Sequence, residues 1–331
     1  AVMLVGFFCM LFITNNFKDS KKVFVLKNVF LFSAIFQSFL AIFQFLMNSS
    51  LGLELLGEPI LRNDMNGVAK ILIGEAKNIR AYGTFPHPNL LAFFLSFASI
   101  INLDLIKHKV GGKKHYLFLI FSFFLILTAL FLTFSRVAII VSLILWAIFI
   151  FKSQPSIVIL ICKRHKAIIL SSLLVFILIA LAFGGGKALI WRFNPLIAST
   201  WESWHVRYTI FLQTLLMLKN NFMGVGLGNH IIVLVYYLIG YPIWMAEPVH
   251  NTYLLVLSES GIIGLIAFLA IIFAVYRKNR LLPLENKLLF WSLVIYMFFD
   301  HCFWDLRSGQ YLFFIVLAFV FLGAPRRSRQ C

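Results

Sequence analysis

A histidine just ahead of a long apolar run, three arginines set in lipophilic sequence and two asparagines at the starts of apolar runs are the residues here equipped for chemistry. His250, in "EPVHN", stands immediately before a predicted helix, where the helix dipole disfavours an imidazolium. A neutral imidazole at physiological pH can take a proton from an incoming hydroxyl. The bland alternative is an interfacial histidine that only ties down a loop. Asn89 follows Pro86 and Pro88, Ser135 precedes Arg136, and Asn251 follows His250; each is read as an N-cap of the run after it. Helix N-termini present unpaired N–H groups and partial positive charge. If such ends converge, Arg80, Arg136 and Arg207 would supply full charges to an anion site, and the planar guanidinium fork suits diphosphate oxygens. Against this, Arg136 can snorkel to headgroups, Arg207 can sit on the solvated face of an amphipathic helix, and Arg80 can pair with Glu75. Glu259 lies inside a predicted span, where a carboxylate is expensive, and Arg192 belongs to "WRFNP" in a long polar segment; both are expected to support the site.

Other motifs carry less. "GVGLGN" at 224–229 is superficially a phosphate loop, but no strand precedes it and no βαβ unit can be built around it. Tight turns returning the chain to the membrane are the better reading. "DHCFWD" gathers Asp300, His301 and Asp305, either as a weak metal site or as interfacial polar residues beside Phe303 and Trp304. The four cysteines, Cys9, Cys162, Cys302 and Cys331, show neither CxxC nor a zinc-type Cys/His spacing. No metal and no cofactor is expected.

The elements that must position these residues are membrane helices. Of 331 residues 61% are hydrophobic and 12% charged, about half the charged fraction of a soluble domain. About nine spans are expected, at 1–14, 24–47, 89–106, 116–134, 136–151, 167–182, 251–276, 288–303 and 310–323. The first is short and begins without Met, so N-terminal spans are expected to be missing from this single membrane domain, 1–331. Most of the 29 Lys and Arg fall in alternate short loops (107–115, 152–166 and 277–287) and the tail. The net charge of +17 is therefore a topology signal and not a sign of nucleic acid, which needs a basic folded surface. The basic loops are placed in the cytoplasm. The segments 48–88, with a small hairpin formed by "VAKILI" and "NIRAY", and 183–250, with an amphipathic helix at about 203–218, are placed outside.

Four segments, in order, resemble the O-antigen ligase and O-antigen polymerase family of bacterial membrane glycosyltransferases. They are "RAYGTFPHPN" at 80–89, "TFSR" at 133–136, "WHVRYTIFLQTLLMLKNNFMGVGLGN" at 204–229 and "HNTYLLVLSESGIIG" at 250–264. The resemblance spans roughly residues 80–276; the chain departs from it in having fewer spans than the family's usual ten to twelve. It implies an all-α, polytopic, GT-C-type helix bundle with a partly helical extracytoplasmic loop. It implies an inverting, metal-independent transferase that uses a polyprenyl-diphosphate-linked glycan at the outer side of the bacterial cytoplasmic membrane. The acceptor would be a glycolipid, a glycan chain or a protein, with membrane lipids as the surroundings. Carried over residue by residue, His250 takes the place of the catalytic histidine, and Arg136 and Arg207 those of the diphosphate-binding arginines, with Arg80, Asn89 and Asn251 beside them. The rival class is a lipid-linked glycan flippase or transporter, which predicts broken helices or intramembrane charge at mid-bilayer.

Overall fold

A computed structural model describes residues 2–17, 19–73, 76–108, 112–152, 198–279 and 282–322. Among the described residues the fold is all-α apart from one antiparallel hairpin. Four of the described helices are long and apolar enough to cross a membrane, as expected where every backbone polar group must be satisfied within its own segment. The chain divides into two compact units, Phe17–Asn194 and Ala1–Asn16 with Pro195–Cys331.

The first unit contains α2 (Ser20–Met47), α3 (Pro88–Lys107), α4 (Lys113–Leu132) and α5 (Arg136–Lys152). Helix α3 is its core and is buried along almost its whole length. Its small polar residues face neighbouring helices: Ser142 Oγ donates to Ser96 Oγ (2.7 Å), Trp146 Nε1 to Ser99 Oγ (2.8 Å) and Asn102 Nδ2 to Ser122 Oγ (3.0 Å). Interhelical hydrogen bonds of this kind replace the hydrophobic driving force that lipid removes. The hairpin pairs β1 (Lys70–Ile73) with β2 (Ala76–Ile79); its first strand lies in the expected "VAKILI", and its second begins two residues ahead of the expected "NIRAY". Two glutamines one heptad apart on α2 hold the segment that follows. Gln44 Oε1 accepts from the N–H of Tyr82 and Gly83 (3.2 and 2.8 Å), and Gln37 Oε1 accepts from that of Thr84 (2.9 Å). Gly83 has φ +60°, and a Cβ there would run into the Gln37 side chain, so this turn needs glycine.

The expected cap at Asn89 is corrected. Pro88 occupies the first helical position, where its missing N–H is no loss. The cap therefore moves back to His87, whose Nδ1 accepts from the Asn89 N–H at 3.1 Å.

The second unit contains α1 (Val2–Asn16), α6 (Ala198–Asn220), α7 (His230–Leu234), α8 (Thr252–Asn279), α9 (Leu284–Phe299), α10 (Cys302–Asp305) and α11 (Arg307–Leu322). Helices α1 and α11 pack together. The span expected at 288–303 starts earlier and stops at Phe299, because Asp300 is extended at φ −152°, ψ 157°. Helix α6 carries Thr209, Ile210, Thr214, Met217 and Leu218 buried, while Trp204, Tyr208, Phe211, Leu212, Leu215 and Leu216 are exposed. Arg207 lies on the Ile210 and Thr214 side, partly buried. The helix thus buries a mixed face, two threonines beside Ile210, Met217 and Leu218, and turns large apolar side chains outward. The expected span 167–182, "GGGK" and Arg192 lie outside the described residues.

Candidate active site

An apolar cluster positions the candidate residues of the second unit. Ile210 and Met217 of α6, Leu234 of α7, Leu238 and Val249 of the connection that follows, and Leu255 of α8 form one buried core. Arg207 sits one turn before Ile210, and His250 directly follows Val249. Helix α8 starts as expected, with Asn251 Oδ1 accepting from the Leu254 N–H at 2.9 Å, a true N-cap. The same turn is bolted to the end of α9: Asn251 Nδ2 donates to Phe298 O (3.1 Å) and Thr252 Oγ1 to Asp300 O (2.7 Å). These bonds bring the His301 ring against that of His250, edge to face, with centroids 5.1 Å apart. His301 Nδ1 is 2.8 Å from Asp305 Oδ2. Asp300 is buried, and its Oδ1 accepts from the N–H of His301 (2.9 Å) and Cys302 (3.2 Å).

Charge around this turn is mixed. Burial draws the Arg207 pKa below its ordinary value, opposed by the nearby carboxylates of Asp300 and Glu247; the guanidinium stays charged at neutral pH all the same. For His301, burial acts to lower the pKa. The hydrogen bond to Asp305 and the charges of Asp300 and Asp305 outweigh it, against Arg207, and leave the imidazole raised above 6.5. Arg207 is therefore no solvated helix-face residue.

The glycine-rich loop also has a definite job, and it is not to cradle phosphate. Helix α8 is broken at Gly261, which has φ 67° and ψ −172°. The carbonyls freed by the break, those of Ser258 and Glu259, accept from the N–H of Val225 and Gly226, both at 2.9 Å. A Cβ on Gly224 would lie 2.5 Å from Gly261 N and 2.6 Å from Glu259 O, so the two backbones meet only because both positions are glycine. The loop staples α6 to α8. Within α8, Glu259 is buried and accepts from Trp304 Nε1 of α10 at 2.8 Å.

Arg80, Asn89 and Arg136 belong to the other unit. Arg80 is buried; its Nε donates to Thr133 O (2.6 Å) and its Nη2 to Asn89 Oδ1 (2.9 Å). It thereby joins the hairpin's exit to the end of α4 and the start of α3. Arg136 is the first residue of α5, directly after the corner formed by Phe134 in the left-handed region at φ 49°.

Two groups escaped the sequence reading. His230 was given no role, yet its Nδ1 is 2.8 Å from Ser258 Oγ and its Nε2 accepts from the Val249 N–H at 3.3 Å. Ser258 Oγ donates to Leu255 O, so Nδ1 is the protonated nitrogen and the ring is neutral. Burial and the neighbouring His301 push its pKa down to about 4, in spite of Asp305. No sequence pattern links His230 to a serine 28 positions on. His301 and Asp305 were visible as a cluster, but their neighbourhood with His250 was not, since it depends on the turn at Asp300.

The family model described as O-Antigen ligase matches residues 121–269. That stretch contains Arg136, Arg207, the glycine staple and His250. No curated protein and no solved structure matches the chain.

Proposed function

We propose, from the match of residues 121–269 to the O-antigen ligase family model, that this membrane protein transfers a glycan from a polyprenyl-diphosphate carrier to an acceptor hydroxyl. The reaction takes place on the outer face of the bacterial cytoplasmic membrane and inverts the anomeric centre, without a metal. The acceptor hydroxyl loses its proton to His250 as its oxygen bonds to the sugar's anomeric carbon. The bond from that carbon to the diphosphate oxygen breaks, and its electron pair leaves with the polyprenyl diphosphate. Arg207 meets the charge that develops there; the part of Arg136 rests on the family resemblance. Asn251 holds the start of α8, and Glu259 steadies the site through Trp304. The observation that carries the reading is that Arg207 and His250 are both built onto one apolar core, with His250 at the capped N-terminus of α8.

One observation favours the rival reading of a flippase or transporter: α8 is a broken helix. In transporters the unwound backbone lines a substrate cavity. Here the two freed carbonyls are taken by loop amides, which weighs toward an anchoring role. Proteoliposomes carrying the purified protein and a labelled polyprenyl-diphosphate glycan separate the two. We expect label on an added acceptor together with free polyprenyl diphosphate. Donor crossing the bilayer with no transfer to any acceptor would overturn the proposal.

A further inference from the structure

We propose that His301 and Asp305 form a positioning pair that tunes the proton affinity of His250 from the side; this rests on His250 being the base.

The geometry is over-determined. The backbone of 298–300 is fixed to 251–252 by two hydrogen bonds, which keep the backbone that carries His301 beside the turn that carries His250. The His301 backbone is held by Asp300 Oδ1 at 2.9 Å, and its Nδ1 by Asp305 Oδ2 at 2.8 Å. A carboxylate on Nδ1 fixes the tautomer and orientation of the ring and favours its protonated form. The groups acting on His301 are Asp300, Asp305, Arg207 of α6, His230 of α7 and His250 itself. The two carboxylates prevail and raise the pKa of His301, so its ring holds its proton to higher pH than an ordinary histidine. Positive charge one ring away opposes a second proton on His250. His250 is then kept in its base form to lower pH than it would reach alone. The same repulsion hastens loss of the proton that His250 has taken, which readies it for the next turnover.

The consequence is a specific pH dependence. The acidic limb of kcat/KM reports the base in the free enzyme. Neutralising Asp305 removes the carboxylate that keeps His301 charged, so the pKa of His250 rises and the acidic limb moves to higher pH. A purely structural pair would lower the amplitude of the profile and leave its limb where it was.

The test is the pH–rate profile of glycan transfer for purified wild type, Asp305→Asn and His301→Asn, with His250→Gln measured in parallel. Asp305→Asn is the decisive variant, because the amide is isosteric and the Asp305 side chain is 25% exposed; it decides even if His301→Asn does not accumulate. We expect the acidic limb of Asp305→Asn to move up by about one pH unit, the scale of a single nearby charge, with His301→Asn moving it the same way. Unchanged limbs beside an inactive His250→Gln would overturn the tuning role while leaving the base in place. Full turnover by His250→Gln would remove the base, and with it anything for the pair to tune.

Discussion

Arg207 is a cation set among acids. It shares its surroundings with Asp300 and Glu247, so a diphosphate bound there, as proposed, would have to win it from two carboxylates. A guanidinium can do that by offering two parallel N–H donors to phosphate oxygens, and an ammonium cannot. Arg207→Lys and Arg136→Lys are therefore expected to reach normal membrane abundance yet raise the donor KM about tenfold, the loss of one charge-assisted hydrogen bond. Steady-state kinetics with varied donor concentration check this. Wild-type KM in both lysine variants would contradict the clamp. The candidacy of Arg207 was legible from its place on the amphipathic helix expected at about 203–218. That of His301 was not, because chemistry between rings 51 residues apart in sequence exists only once Asp300 has ended α9 and Thr252 has caught its carbonyl.

The elements carry a second kind of information, in how they are tied. His230 links α7, the turn at Val249 and α8 through bonds that only a neutral ring can make. Its pKa is about 4 in the fold, against an ordinary 6.5 in the unfolded chain. The folded state thus binds fewer protons, and stability rises with pH across that window. The contribution is complete above pH 6.5 and lost as pH falls toward 4, amounting at most to about 3 kcal/mol. Thermal unfolding in detergent should show this acid sensitivity in wild type and a flatter profile in His230→Asn; identical slopes would refute it. The hairpin at 70–79 and the N-cap at Asn251 were readable in advance because their signals are local: alternation about a short turn, and an amide side chain before an apolar run. The cap at residue 89 was misplaced by two positions because Pro88 competes for the helix start. The break at Gly261 was hidden, since the apolar pattern runs on through "SGIIGLIAF" and only the close approach of Gly224 reveals why the helix yields there.

At the scale of the whole molecule, apolar surface and charge asymmetry together call for a bilayer. The outward side chains of α6 and the exposed Tyr236, Ile239, Ile243 and Trp244 would be untenable in water but suit an interface rich in headgroups and acyl chains. In the proposed topology the hairpin segment faces outward and the 107–115 loop the cytoplasm. With the four native cysteines replaced, Asp64→Cys should react with a membrane-impermeant thiol reagent in intact cells, and Lys114→Cys only after permeabilisation; the reverse pattern would invert the topology. Everything proposed here converges on one proton leaving an acceptor hydroxyl for His250. Its most direct test measures transfer by purified wild type, His250→Ala and His250→Gln, with binding of the polyprenyl-diphosphate donor measured separately. Loss of a general base typically costs about 10² to 10⁴ in rate, so both variants should bind donor normally and transfer glycan at that much reduced rate. Substantial turnover by His250→Gln, which keeps a hydrogen bond but cannot take the proton, would contradict the account and leave His250 as a residue that only holds its loop.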